Sequence, residues 1–219
     1  MASLEKLGVT IPISSRDDFL QIVRNGKFKD LSPKDIEAII PWGIDKYTVK
    51  DLRTYFDDFV KMFGKGWRIF NRNFSSLDVA CGASDSEGFW PWLPAILSNV
   101  GATCVGVDIG SQPESLRGIY THIPFDLTHL GSNGLADIPS LGGEKFDLIT
   151  FLNTITNFVP SDVMTRIARD RGRLLSEVQD SVFSNIETLL KPNGIVYADT
   201  LQGWQLAFRN TKNGLKRIK

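Results

Sequence analysis

The chain has 219 residues, room for one domain of ordinary size plus an extension. Apolar residues make up 42% and charged residues 23%, a balance that excludes a disordered chain. The 25 basic residues are matched by 25 acidic ones, which excludes a whole-chain electrostatic footprint for nucleic acid.

The opening segment MASLEKLGVTIPISS lacks a basic region followed by a long apolar run, so no secretory signal is expected. Residues 1–74 read as a helical extension. Ser15 followed by Asp18 is a cap with an acid three residues on, ahead of Phe19, Ile22 and Val23. Ser32-Pro33 is a second start, with proline at the first helical position. Thr48 opens a third helix, with Leu52, Phe56, Phe59, Val60 and Phe63 at helical spacing and Gly64 as its stop. An apolar face of that kind is expected to pack on the domain that follows.

From Phe74 the texture changes to short apolar runs separated by helical stretches. The runs are Leu77–Cys81, Thr103–Val107, Ile119–Ile123, Phe146–Leu152 and Ile195–Ala198. Each suits a strand buried on both faces. Helical candidates lie at 91–100 and 162–191, the second interrupted by Gly172 and stopped at Lys191-Pro192-Asn193-Gly194. The alternation predicts an α/β domain over 75–219, with a doubly wound, mostly parallel sheet and right-handed crossovers. No apolar stretch approaches 18 residues, so no membrane span is expected.

Two segments carry chemistry. Ser76-Leu77-Asp78-Val79-Ala80-Cys81-Gly82-Ala83-Ser84 is a strand running into a small-residue turn, where backbone N–H groups can approach a ligand. Asp78 stands just before that turn, placed to meet a cationic group. Val105-Gly106-Val107-Asp108 is a strand ending in an acid, suited to the two hydroxyls of a ribose. A nicotinamide site would need GxGxxG after the first strand, and Cys81-Gly82-Ala83-Ser84-Asp85-Ser86 does not supply it. The segment Asp85–Trp92 lengthens the first crossover into an enlarged loop; Trp90 and Trp92 are candidates for a pocket wall or for packing.

With these segments the chain resembles the class I S-adenosylmethionine-dependent methyltransferases, a Rossmann-like fold, over roughly residues 75–200. LDVACGAS is similar to the family's first motif, VGVD to its second, and Pro124-Phe125-Asp126-Leu127 to its third. Phe146–Asn153 resembles the fourth strand and its mouth, and Leu189-Leu190-Lys191-Pro192-Asn193-Gly194 the turn into the fifth strand. The resemblance implies S-adenosylmethionine as cofactor. Its methionine end would lie on Asp78, Ala80, Gly82 and Ser84. Its ribose would lie on Asp108, beside Ile109, and its adenine on Asp126 and Leu127. Asn153 is a further candidate at the fourth strand's mouth, with turn capping as the alternative. No catalytic residue is implied, since methyl transfer asks mainly for positioning and desolvation.

The chain departs from the family pattern in two places. Ala80 and Ser84 stand where glycines are usual. After the fifth strand only Leu201–Lys219 remain, where the family continues with a helix and an antiparallel strand pair; one helix or one short strand is expected, leaving the sheet abbreviated. An open edge of that kind predicts a homodimer or a heteromeric partner there. The expected function is methyl transfer to an unidentified acceptor, with a small molecule favoured. The alternatives are a non-catalytic methyltransferase-like subunit supporting a partner, and an RNA-binding scaffold using the basic stretch Arg209, Lys212, Lys216, Arg217 and Lys219. The two cysteines, Cys81 and Cys104, lie in apolar runs and read as reduced core thiols of a cytoplasmic protein. The two histidines, His122 and His129, have no metal-ligand spacing, so no metal is expected.

Overall fold

A computed structural model describes residues 58–59, 61–64, 72–82, 91–99, 101–141, 143–152, 169, 172, 175–199 and 205–219. Among the described residues one sheet holds seven strands, β1 (Ser75–Val79), β2 (Thr103–Asp108), β3 (Thr121–Pro124), β4 (Phe146–Leu152), β5 (Leu190–Asp199), β6 (Gln205–Thr211) and β7 (Gly214–Arg217). Their spatial order is β3-β2-β1-β4-β5-β6-β7. The first five pair in parallel, and β6 and β7 add antiparallel. This is the doubly wound, Rossmann-like sheet that the alternating pattern predicts.

The chain winds outward from β1 through β2 to β3, then crosses back to β4. The order therefore reverses between β1 and β4, the place where such sheets open a crevice at their carboxyl ends. Right-handed crossovers put α1 (Trp92–Asn99, between β1 and β2) and α2 (Leu175–Phe183, between β4 and β5) on opposite faces.

One face is the main core. Leu77, Val79, Val105, Val107, Ile149, Phe151 and Val196 pack there against Leu127, Leu130, Leu135, Ile138 and Leu141 from a run of 3₁₀ turns, and against Val182 of α2. The other face carries a row of paired residues, one per strand: Ala207, Tyr197, Thr150, Asp78, Gly106 and His122. The last turn of the predicted third helix covers part of this face. Phe59 is fully buried and stands edge-on to Tyr197 at 5.1 Å, and Phe63 meets Phe74 at 5.4 Å. Gly64 ends that turn at φ +67°, a conformation glycine adopts without strain. The rest of the expected N-terminal helices lies outside the described residues.

Three expectations are corrected. The stretch after β5 forms two strands, not one helix or one strand: five residues, 200–204, separate β5 from β6, and the turn at Lys212-Asn213 lets the chain double back at once. The sheet thus reaches seven strands, with β7 exposed along its whole length as one edge. The helical candidate 162–191, expected to be interrupted at Gly172 (φ +69°), also stops short of Lys191: α2 ends at Phe183, Asn185 follows at φ +53°, and a separate 3₁₀ turn covers Ile186–Leu189. The turn at Lys191–Gly194 is a bulge within β5, since Leu190 already pairs with Phe146 before Ile195 pairs with Leu148. Gly194 is required there: a Cβ would lie 2.9 Å from the carbonyls of Lys191 and Phe146.

Among the described residues no helix is long and apolar enough to cross a membrane, and no group of His, Cys, Asp and Glu could hold a metal ion. Both cysteines are free and buried.

Candidate active site

The crevice at the carboxyl ends of β1, β2 and β3 is built from three short turns tied to one another. After β1 the backbone turns left-handed, with Ala80 at φ +56° and Gly82 at φ +87°. A non-glycine residue in that region carries a penalty of about 1–2 kcal/mol. Ala80 thus keeps the backbone shape that glycine would give, with a methyl group added. Ladder bonding continues past the strand, the N–H of Cys81 donating to the carbonyl of Val107 at 3.1 Å.

Asp108 is the hub. One carboxylate oxygen accepts the N–H of Gly82 at 2.9 Å, and the other accepts the N–H of Gly110 at 3.1 Å. Its backbone carbonyl accepts the N–H of Phe125 at 2.8 Å, which brings in the turn after β3. One residue thereby fixes the relative placement of all three turns. Beside it Ile109 is 59% exposed, an apolar side chain at the crevice with nothing covering it among the described residues.

Asp126 caps the 3₁₀ turn Leu127–His129. Its Oδ1 accepts both the N–H of Thr128 at 2.9 Å and the hydroxyl of Thr128 at 2.6 Å. Leu127 points into the main core, leaving its backbone at the crevice wall.

Asp78 is 4% exposed. It accepts the Thr150 hydroxyl at 2.7 Å from the neighbouring strand. Burial pushes its carboxyl up to about 7; the Thr150 bond offsets part of that shift and the charge of Asp108 adds to it. Among the described residues no cation is paired with it. A buried acid in this position ionises readily only when positive charge arrives.

Burial disfavours the thiolate at both Cys81 and Cys104. Burial raises the Cys81 thiol well above its ordinary range, with Asp78 and Asp108 adding to the shift, and burial raises Cys104 to about 11. Cys81 donates to the carbonyl of Gly82 at 3.2 Å, and Cys104 meets the hydroxyl of Ser76 at 3.1 Å.

The structure therefore brings together Asp78, Ala80, Gly82, Asp108, Ile109, Asp126 and Leu127. Ser84 and Asn153 lie outside the described residues, as do residues 83–90 of the enlarged loop. Thr150 was not singled out by sequence, although a Thr amid the apolar run Phe146–Leu152 marks a buried hydroxyl in search of a partner. Tyr120 and His122 were also missed, because their contacts depend on strand register.

The basic stretch is partly committed inward. Lys219 pairs with Asp58 at 2.5 Å, and Arg209 donates to the carbonyl of Met62. Tyr197 donates to the same Asp58 carboxylate at 3.1 Å.

No family model and no curated protein sequence matches the chain. Solved structures that resemble it include methyltransferases. One is described as a protein-L-isoaspartate O-methyltransferase from Plasmodium falciparum in complex with S-adenosyl-L-homocysteine; it is 13% identical over 99% of this chain and 91% of that one, with a TM-score of 0.43. Another is an amino pentose methyltransferase from Micromonospora echinaspora with S-adenosylmethionine bound, 11% identical over 91% and 78% of the two chains, TM-score 0.38. A third is the N-methyltransferase NodS from Bradyrhizobium japonicum with S-adenosyl-L-homocysteine, 12% identical over 78% and 72%, TM-score 0.36. All three scores lie below 0.5, so what this chain binds is read from its own residues.

Proposed function

We propose that this chain is an S-adenosylmethionine-dependent methyltransferase of the class I, Rossmann-like kind, acting on a small-molecule acceptor in the cytoplasm. The observation that carries the reading is the Asp108 hub. A carboxylate at the end of β2 is oriented by the N–H groups of Gly82 and Gly110, with a left-handed turn on one side and the exposed Ile109 on the other.

The residues fit the cofactor group by group. Asp108 accepts from the ribose hydroxyls with the lone pairs its two backbone donors leave. Ile109 supplies an apolar surface for the adenine ring, and Asp126 with the Leu127 backbone meets the ring edge. Ala80, Gly82 and Ser84 receive the methionine end, where an ammonium is the positive charge that none of the described residues brings to Asp78. When bound, S-adenosylmethionine supplies a methyl group on a sulfonium, open to in-line displacement. The chain's own work is to orient that group and to exclude water from it. Asp78 releases its proton as the ammonium arrives. Asn153, which follows β4 in the sequence, is the residue we assign to orienting the acceptor.

The test is titration calorimetry with S-adenosylmethionine, followed by incubation with methyl-labelled donor and a metabolite extract. One site per chain and label in the low-molecular-weight fraction are expected. Binding without transfer to any fraction would favour a non-catalytic subunit, and absence of binding would sink the reading.

A further inference from the structure

His122 of β3 lies beside the Asp108 hub without touching it. Its Nε2 is 2.8 Å from the carbonyl oxygen of Gly110. A carbonyl has no proton to give, so Nε2 carries the hydrogen and donates. In the neutral form of the ring Nδ1 is then bare, and the Tyr120 hydroxyl sits 3.3 Å from it. The two rings meet edge to face at 6.0 Å. Burial raises the Tyr120 phenol above its ordinary range, so it remains a neutral donor.

Tyr120 is itself fixed. A Cβ on Gly106 would lie 2.8 Å from its Cε2 and 2.7 Å from the Cys81 sulfur, so the ring and the thiol occupy the space the absent side chain leaves. The Gln112 amide closes the intervening loop by donating to the carbonyls of Leu116 at 3.0 Å and Tyr120 at 3.1 Å.

Gly110 is thus held from both sides. Its N–H goes to the Asp108 carboxylate and its carbonyl to the His122 ring. Gly110 directly follows Ile109, so the two bonds fix the backbone on the C-terminal side of that exposed side chain. Two polar side chains, one of them buried, are spent on orienting a single turn whose Ile109 side chain stays exposed among the described residues.

We infer that Tyr120 and His122 are positioning residues that hold the Asp108–Gly110 turn in the shape that receives the adenosyl part of the ligand. The inference rests on the methyltransferase reading above for the identity of that ligand. It does not rest on that reading for the ordering of the turn, which belongs to the free protein. The device resembles the outer hydrogen bonds that orient ligating side chains elsewhere: the contact residue works only while its support holds it still.

The test uses the full chain and three variants, His122→Ala, His122→Gln and Tyr120→Phe. Amide hydrogen exchange is followed at residues 109–112 in the free protein, and S-adenosylhomocysteine affinity is measured by calorimetry. His122→Ala is expected to speed exchange in that turn and to weaken binding about tenfold, the equivalent of one lost support bond of about 1.4 kcal/mol. Exchange in β1 and β4 is expected to stay unchanged, which separates a loosened turn from a loosened fold. The Gln side chain offers an amide N–H to the Gly110 carbonyl, so His122→Gln is expected to restore both readouts most of the way. Tyr120→Phe keeps the ring over Gly106 and is expected to produce a smaller loss in both. Unchanged exchange at 109–112 in His122→Ala, or no rescue by glutamine, would overturn the inference. Wild-type chain that binds no S-adenosylhomocysteine would overturn the functional reading and the ligand half of this inference, with the exchange data still deciding the ordering of the turn.

Discussion

The carboxylate of Asp108 accepts the N–H of Gly82 at 2.9 Å across 26 residues of sequence. That bond joins the turn after β1 to the end of β2, and its companion to Gly110 uses the second oxygen. Asp108 is therefore an acceptor twice over before any ligand arrives, and its geometry is set in advance.

Asp108→Asn keeps the shape but loses one acceptor. One of the two N–H groups must then face the amide NH₂. We expect stability to fall by about 1–2 kcal/mol, as for a charge-assisted bond broken at a half-buried site. Urea denaturation measures it. S-adenosylmethionine affinity should fall at least tenfold, since the ribose acceptor and the turn geometry are lost together.

Ala80→Gly removes a methyl from a left-handed position, φ +56°. The folded state gains about 1 kcal/mol or slightly more, and glycine's greater unfolded-state freedom returns part of that. A small net rise in the denaturation midpoint is expected, with cofactor affinity kept. Ala80→Val, branched at Cβ, should lower the midpoint sharply.

Asp78 makes stability depend on pH. Its folded pKa, about 7, lies above the ordinary 3.8. Between those values the folded chain keeps a proton the unfolded chain has released. Stability therefore falls as pH rises from about 4 to about 7 and levels off beyond. Asp78→Asn should flatten that slope, measured as urea midpoints across the range. An ammonium ligand favours the ionised form, so affinity should rise with pH up to about 7. Calorimetry near pH 6 in buffers of different ionisation heat should report proton release on binding.

Gly106→Ala should destabilise the fold by roughly 1–3 kcal/mol, because the new methyl meets both Cys81 and Tyr120 inside contact distance. Thermal unfolding checks the loss. Adding Cys81→Ala should recover only part of it, as the Tyr120 ring remains in the way.

The strands of the parallel sheet were legible because each contains a short apolar run, mostly buried in β1, β2 and β4. Phe146–Leu152 matches β4 residue for residue, and the other four predicted strands are present with shifted ends. The turn after β1 was legible from its small residues, and Asp108 from its place at a strand end; the left-handed backbone at Ala80 was not. Other features were not readable. Gly106 looked like a motif residue, yet its reason is the Tyr120 ring, which reaches it only through the β2–β3 register. The partnership of Thr150 with Asp78 likewise follows from β1 and β4 lying side by side, which two positions 72 apart in the sequence do not announce. The β6–β7 hairpin was missed because a two-residue turn lets a short tail hold two strands where residue count suggested one.

The most direct test of the central claim is the binding of S-adenosylmethionine to the wild-type chain and to Asp108→Asn, by calorimetry under the same conditions. One site per wild-type chain, weakened at least tenfold in the variant, is the predicted result. No heat of binding up to millimolar ligand, or equal affinity in the two proteins, would contradict it.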